Sequence, residues 1–145
     1  MSLTSVPGSN LLASACETLV IPVNCKGVAG CGLALQAKKL FPDWFLCYRE
    51  CCRSGALTIG CPLLHWGMTP WFVSFPTKND FQYPSRLEDI EQGLATMEPL
   101  IEKHGVRSIA FPKLGCGAGG LYWQQVQPLM EKYLRQITCD VFIYL

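Results

Sequence analysis

The sequence predicts an α/β fold, and three observations carry that reading. Apolar runs alternate with segments of helical spacing along the chain. Two glycine-spaced loops, one holding Gly27, Gly30 and Gly32 and the other Gly115, Gly117, Gly119 and Gly120, each leave an apolar run and open into a helical segment. The 145 residues, half of them hydrophobic, suit one domain with a substantial core, residues 1–145, and argue against disorder.

The elements follow in order. Residues 3–6 read as a short edge strand stopped by Pro7-Gly8, and residues 18–24 as an apolar strand ending at Asn24. Leu33, Ala34, Ala37, Leu40 and Phe41 have helical spacing after the first glycine loop. Pro42-Asp43 restarts a helix over residues 44–53 that ends at Gly55. Residues 56–59 and 62–66 read as short strands, and after the turn at residues 67–70 the run 71–75 is a strong strand completing a hairpin. Residues 76–80 read as a polar loop. Ser85, with Glu88 three residues on, has the spacing of a capping box for one long helix whose apolar face is Leu87, Ile90, Leu94, Met97 and Ile101, ended by Gly105. Residues 108–111 form a short apolar strand of the kind buried in a parallel sheet. A helix over 123–135 and a strand over 139–144 close the chain.

Composition narrows the function. A formal net charge of +1 argues against a broad basic surface for long nucleic acid, while leaving room for a local basic patch within that sum. The nine cysteines include no C-x-x-C pair, and the two histidines are His65 and His104, so zinc is poorly supported. The cysteines are expected as buried, reduced thiols acting as small hydrophobes. No basic region followed by an apolar core opens the chain and no apolar run reaches membrane-spanning length, so a cytoplasmic protein is expected. Trp44, Trp66, Trp71 and Trp123 are expected as core or pocket walls, and Glu88, Asp89 and Glu91 as a solvated helix face.

The two loops locate the chemistry. Glycines let the backbone approach a ligand closely, and the free N–H groups at a helix start favour an anion. The spacing G-x-x-G-x-G differs from the dinucleotide fingerprint, and no Gly-Lys-Ser/Thr follows. In an α/β sheet both loops open at the carboxyl ends of their strands, where they can close on a diphosphate from opposite sides. Lys78 follows the third strong strand at the same edge, and Asn24 ends the second, placed to bond a sugar hydroxyl or to complete a turn.

The segments V-N-C-K-G-V-A-G-C-G-L-A-L-Q-A-K-K-L-F-P, F-P-T-K-N-D-F-Q-Y-P-S-R-L-E-D-I-E-Q-G-L and F-P-K-L-G-C-G-A-G-G-L-Y-W together resemble the macrodomains, ADP-ribose-binding modules. The match covers nearly the whole chain. Its P-T-K and S-R-L-E-D-I-E combination is similar to the DarG type, which removes ADP-ribose from DNA bases, and to the related human terminal ADP-ribose protein glycohydrolase. The resemblance implies a three-layer α/β/α macrodomain around a mixed, mostly parallel sheet of about six strands. It implies that Asn24 contacts the distal ribose and that Lys78 is the lysine essential for hydrolysis. It implies ADP-ribose contacts from Asn10, Leu11, Gly27, Val28, Gly30, Gly32 and Thr77, and from Gly115, Cys116, Gly117, Ala118, Gly119, Gly120 and Leu121. No cofactor and no metal are implied.

This chain departs from the family at several of these positions. Asn10 stands at the adenine-binding acid, Ala29 and Cys31 replace the more usual Met and Lys, Tyr122 stands where the DarG type often has Asp, and Gly119 replaces the catalytic Asp of the human relative. The last of these favours the DNA-directed branch. The implied partners are ADP-ribose, ADP-ribosylated DNA and a cognate ADP-ribosyltransferase toxin, with the protein itself a monomer. Tyr83 and Arg86 are candidates to flank the substrate base through their nearness to Lys78. Lys78 acts either as a neutral nucleophile on the sugar carbon or as a cation stabilising charge on the leaving base. Three alternatives stay open: a non-catalytic ADP-ribose reader, a hydrolase of ADP-ribosylated protein, and an ADP-ribose 1″-phosphate phosphatase. The last is expected to use a His and an Asp near the ribose, and neither histidine falls in a ligand loop.

Overall fold

The computed structural model describes residues 2–145. Its strands are β1 (Ser2–Val6), β2 (Thr18–Asn24), β3 (Leu63–His65), β4 (Trp71–Lys78), β5 (Ser108–Phe111) and β6 (Asp140–Tyr144). Its helices are α1 (Gly32–Leu40), α2 (Pro42–Arg53), α3 (Leu87–Ala95), α4 (Met97–His104) and α5 (Trp123–Leu134), with one 3-10 turn at Leu11–Ala13. The strands form one six-stranded sheet in the order β1-β6-β5-β2-β4-β3. Every pairing is parallel except β3 with β4, so the sheet is mixed and mostly parallel, as expected.

The alternation of side chains along the central strands divides the core in two. Val20, Val73, Phe75 and Ile109 face one way and pack with Ile90 and Leu94 of α3, Met97 and Ile101 of α4, and Val126, Met130 and Leu134 of α5. Leu19, Ile21, Phe72 and Ala110 face the other way and pack with Ala37 of α1 and Trp44 and Tyr48 of α2. Helices therefore cover both faces in an α/β/α arrangement. The central strands are buried on both sides, which is why they read as unbroken apolar runs. Among the described residues no helix is long and apolar enough to cross a membrane.

Several local expectations need correction. Residues 76–78 are strand, not loop: β4 continues to Lys78, and a bulge between Val23 and Asn24 accommodates the extension. Residues 56–59 are not a strand, making only the isolated bridge between Thr58 and Cys61, because Leu57 donates its N–H back to Cys51 O at the end of α2. The helix expected from Ser85 to Gly105 is two helices broken at Thr96. Pro99 sits in the first turn of α4, where its missing N–H is harmless; in a continuous helix its ring would meet the carbonyl of Ala95. Ser85 is not the cap: Arg86 holds that position without a side-chain cap bond, and the Ser85 hydroxyl is buried without a partner. Of the nine free cysteines only Cys139 is fully buried; Cys16, Cys51, Cys52 and Cys116 are partly buried against the core, and Cys31 and Cys61 are exposed, so the expectation of buried thiols holds in part. Trp66 likewise departs from expectation: it is 61% exposed, against the His104 ring at 5.1 Å.

A polar knot crosses the sheet beneath α2. The Trp44 Nε1–H donates to Ser74 Oγ at 3.1 Å, and His65 Nε2 shares a 2.7 Å hydrogen bond with the same oxygen. Burial lowers the His65 pKa from 6.5 to about 4. The unfolded chain therefore takes up this proton first. The contribution of a neutral His65 is whole above pH 6.5 and is lost as pH falls towards about 4. Acid titration of urea-unfolding stability is expected to show a loss of up to about 3 kcal/mol across that window, and His65→Gln is expected to flatten it. An unchanged slope in the variant would assign the loss to other groups.

Candidate active site

The carboxyl ends of the parallel strands frame a cleft of about 720 Å³. Residues 28–34, running from the loop after β2 into the first turn of α1, line one wall. Lys113, Gly115, Cys116, Gly117, Ala118 and Gly119, following β5, line the other. Pro22, Val23, Asn24, Thr77 and Lys78 contribute the strand ends between them. Tyr144 from β6 and Phe81 beyond β4 belong to opposite sides of the sheet order, so the cleft runs across the sheet.

The first glycine loop is held from beneath by Asn24 and Tyr48. Asn24 is 7% exposed; its Nδ2 donates to Val28 O at 2.8 Å, and its Oδ1 accepts from Lys26 N at 2.9 Å. The buried Tyr48 hydroxyl lies 2.9 Å from both the main-chain oxygen and Oδ1 of Asn24 and 3.2 Å from Val28 O. Burial, and then the Cys52 thiol, push the Tyr48 pKa up, so the hydroxyl stays a donor. One Asn24 N–H is thereby committed to the loop and the second remains for the cleft. Gly27, at φ 78°, makes the turn but does not line the cleft; a Cβ there would meet Arg49 Cγ at 3.3 Å. Tyr48→Phe is expected to cost about 1–3 kcal/mol in urea denaturation with the helix content unchanged. A neutral result would mean that the hydroxyl does not hold this loop.

The loop delivers an open helix start to the cleft. Cys31 occupies the N-cap of α1 without a side-chain bond, the first turn carries no acidic residue, and Gly32, Leu33 and Ala34 line the wall. Uncapped N–H groups there, with the helix dipole behind them, favour an anion.

The second loop is packed more tightly. Leu121 N donates to Gly115 O at 2.9 Å, Gly120 N to Gly117 O at 3.1 Å, and Ser85 N to Gly119 O at 2.9 Å. A Cβ on Gly119 would collide with Ser85 Oγ and would lie 2.6 Å from Gly115 O. One on Gly115, at φ 74°, would lie 2.8 Å from Leu121 Cδ1. Gly120 and Leu121 therefore shape the loop without lining the cleft.

Lys78 and Asn24 are register partners at the ends of β4 and β2. The pairing continues one step further, with Cys25 N donating to Asn79 O at 3.1 Å. Thr77 is buried, its Oγ1 3.4 Å from Val23 O. Lys78 is half-buried in the cleft wall and, among the described residues, pairs with no carboxylate. No Asp, Glu or His lines the cleft among the described residues.

Not every candidate arrives. Asn10 is exposed outside the cleft lining, and its Oδ1 accepts from Leu12 N at 3.0 Å to cap the 3-10 turn. Leu11 is buried in the α1–α2 side of the core. Tyr83 and Arg86 do not line the cleft either: Tyr83 is exposed, and Arg86 donates to Glu88 Oε2 from both Nε and Nη2. Phe81 takes the place beside Lys78 instead, 50% exposed. Sequence reasoning missed Phe81, Tyr144 and Tyr48. Tyr48 had a signal, standing four residues after Trp44 on the face of α2 that turns inward. Tyr144 ends a strand at the ligand edge of the sheet, which is also a readable position.

With the geometry in place, comparison with known proteins gives a consistent answer. The Macro domain model matches residues 20–130. The chain is 35% identical, over 97% of its length and 41% of the relative's, to a DNA ADP-ribosyl transferase-DNA ADP-ribosyl glycohydrolase fusion protein of Thermosipho africanus. The macrodomain of Thermus aquaticus DarG superposes with a TM-score of 0.93 at 38% identity, covering 99% of this chain and 98% of that one. Thermosipho africanus DarTG in complex with ADP-ribose superposes with a TM-score of 0.93 at 35% identity, covering 98% of this chain and 41% of that one. The chain spans about two fifths of the length of the curated relatives it matches.

Proposed function

The chain belongs to the Macro domain family, and from that premise we propose that its cleft binds ADP-ribose and hydrolyses the bond joining the distal ribose to a DNA base. The observation that carries the proposal is the pairing of Asn24 with Lys78 at the strand ends of a cleft bounded by two glycine loops. The diphosphate lies between the start of α1 and the loop after β5, held by main-chain N–H groups. The distal ribose then reaches the Asn24–Lys78 end, and Phe81 offers an apolar face to the base.

The reaction breaks the C1″–N bond, the electron pair leaving with the base. Water supplies a hydroxyl to C1″ and a proton to the base. The transition state is oxocarbenium-like, and most of the barrier lowering comes from positioning a ligand gripped along its length. The absence of a carboxylate or imidazole from the described cleft wall leaves the Lys78 amine as the reactive side chain at the strand-end side of the cleft, and it speaks against a phosphatase built on His and Asp. His65 lies in the knot with Ser74, and His104 lies against Trp66.

A transferase that places ADP-ribose on DNA is the reaction class that must supply this substrate. The Thermosipho africanus relative carries such a transferase in the same chain, so a transferase partner is proposed here. The test is to incubate the protein with ADP-ribosylated single-stranded DNA and with protein ADP-ribosylated on carboxylates. Label is expected to leave the DNA. Loss from the protein alone, or from neither, would refute the assignment.

A further inference from the structure

A second recess, of about 400 Å³, opens on the far side of the first glycine loop and is lined by Cys25, Lys26, Arg49, Cys52 and Arg53. Three of its five lining residues are cations, and none is acidic. It adjoins the reacting end of the cleft: Cys25 follows Asn24 directly, and its N–H is bonded to the carbonyl of Asn79, the residue after Lys78. We propose that this recess seats a backbone phosphate of the DNA strand flanking the modified nucleotide, so that the strand is gripped next to the bond being cut. The inference rests on the DNA-directed reading of the cleft.

The surroundings favour a phosphodiester. Burial, and then the neighbouring Cys52 thiol, raise the Cys25 pKa to about 11, and burial raises Cys52 as well, so both sulfurs stay neutral and do not repel an anion; the Cys52 S–H is directed at the Asn24 carbonyl at 3.8 Å, which leaves Cys25 as the weak S–H donor of the recess. Two carboxylates compete with such an anion: Glu50 lies 3.6 Å from Arg53 Nε, with both side chains mostly exposed and the pair therefore weak, and the Asp89 charge reaches Cys25 as a minor influence. The Arg49 guanidinium lies 5.5 Å from the Phe45 ring, and its stem packs beneath Gly27. A chain with a net charge of only +1 thus concentrates three cations beside its reacting end.

The test is the triple variant Lys26→Gln, Arg49→Gln, Arg53→Gln, which removes the charges and keeps the Cβ and Cγ methylenes of each stem. Its control, Lys39→Gln, Lys103→Gln, Arg107→Gln, removes the same charge at exposed positions outside the recess. The recess variant is expected to raise KM for an ADP-ribosylated single-stranded oligonucleotide by roughly tenfold and to flatten its salt dependence by about 0.7 in log–log slope for each phosphate that is no longer neutralised. Its kcat and its Kd for free ADP-ribose are expected to stay within about twofold of wild type, and the control is expected to behave as wild type. An unchanged KM and slope, an equal effect in the control, or an equal weakening of free ADP-ribose binding would overturn the proposal. Anisotropy with an unmodified single-stranded oligonucleotide reads the recess without hydrolysis. If the wild type failed to cleave modified DNA yet bound this probe through the three cations, the reaction assignment would fall and the recess would stand.

Discussion

Lys78→Ala is expected to lower release of ADP-ribose from modified DNA by about 10²–10³-fold, while free ADP-ribose still binds within severalfold of wild-type affinity. Lys78 sits at the end of β4 opposite Asn24, not between the two glycine loops, so in the proposed reaction its amine acts at the sugar end of the ligand and not on the diphosphate. An interaction realised mainly in the transition state lowers kcat when removed and leaves ground-state binding in place. Lys78→Arg then separates the two chemistries open to an amine. A guanidinium keeps the positive charge but is no nucleophile at neutral pH. Substantial activity in Lys78→Arg assigns electrostatic stabilisation of the leaving base; inactivity in both variants, with a borohydride-trapped adduct on the wild-type lysine, assigns attack on the sugar. Wild-type rates in Lys78→Ala would remove the residue from the mechanism.

Gly119→Asp is expected to disable the second loop instead of supplying a catalytic acid. Its Cβ would collide with Ser85 Oγ and lie 2.6 Å from Gly115 O, the carbonyl that accepts from Leu121 N to close the loop. Forcing atoms into a packed site costs about 1–3 kcal/mol, and desolvating the charge adds to it. The variant should lose about 3 kcal/mol of stability and bind ADP-ribose about 100-fold more weakly. Adding Ser85→Gly is expected to restore only part of this, because the clash with Gly115 O is main-chain. A Gly119→Asp protein that binds normally would show the loop to be more pliant than its packing implies.

The two glycine loops and the central strands were legible in the sequence because each signal was local. β2 and β5 are apolar on both faces and end at Asn24 and at Phe111, just before Pro112. Gly105 ends α4 in the left-handed conformation that few other residues adopt. The errors arose where a long-range partner overrode a local signal. Pro76 and Lys78 look like loop, yet the bulge at Val23 lets β2 follow them, and that bulge is what sets Lys78 beside Asn24. Ser85 has the spacing of a cap, but the carbonyl of Gly119 takes its N–H, and the side chain turns into the space that a glycine leaves open. Asn10 falls at an adenine-binding position by resemblance, while its own turn engages its side-chain oxygen. Tyr48, which fixes the first loop, could not be tied to Asn24 by sequence alone: the two are 24 residues apart and meet only when α2 packs on the sheet.

The most direct test is a crystal structure of this chain with ADP-ribose. The diphosphate is expected between the start of α1 and residues 115–119, with C1″ of the distal ribose in van der Waals contact with the Lys78 amine and the second Asn24 N–H turned to a ribose hydroxyl. A nucleotide bound with its distal ribose away from β4, or a Lys78 amine directed out of the cleft, would contradict the account.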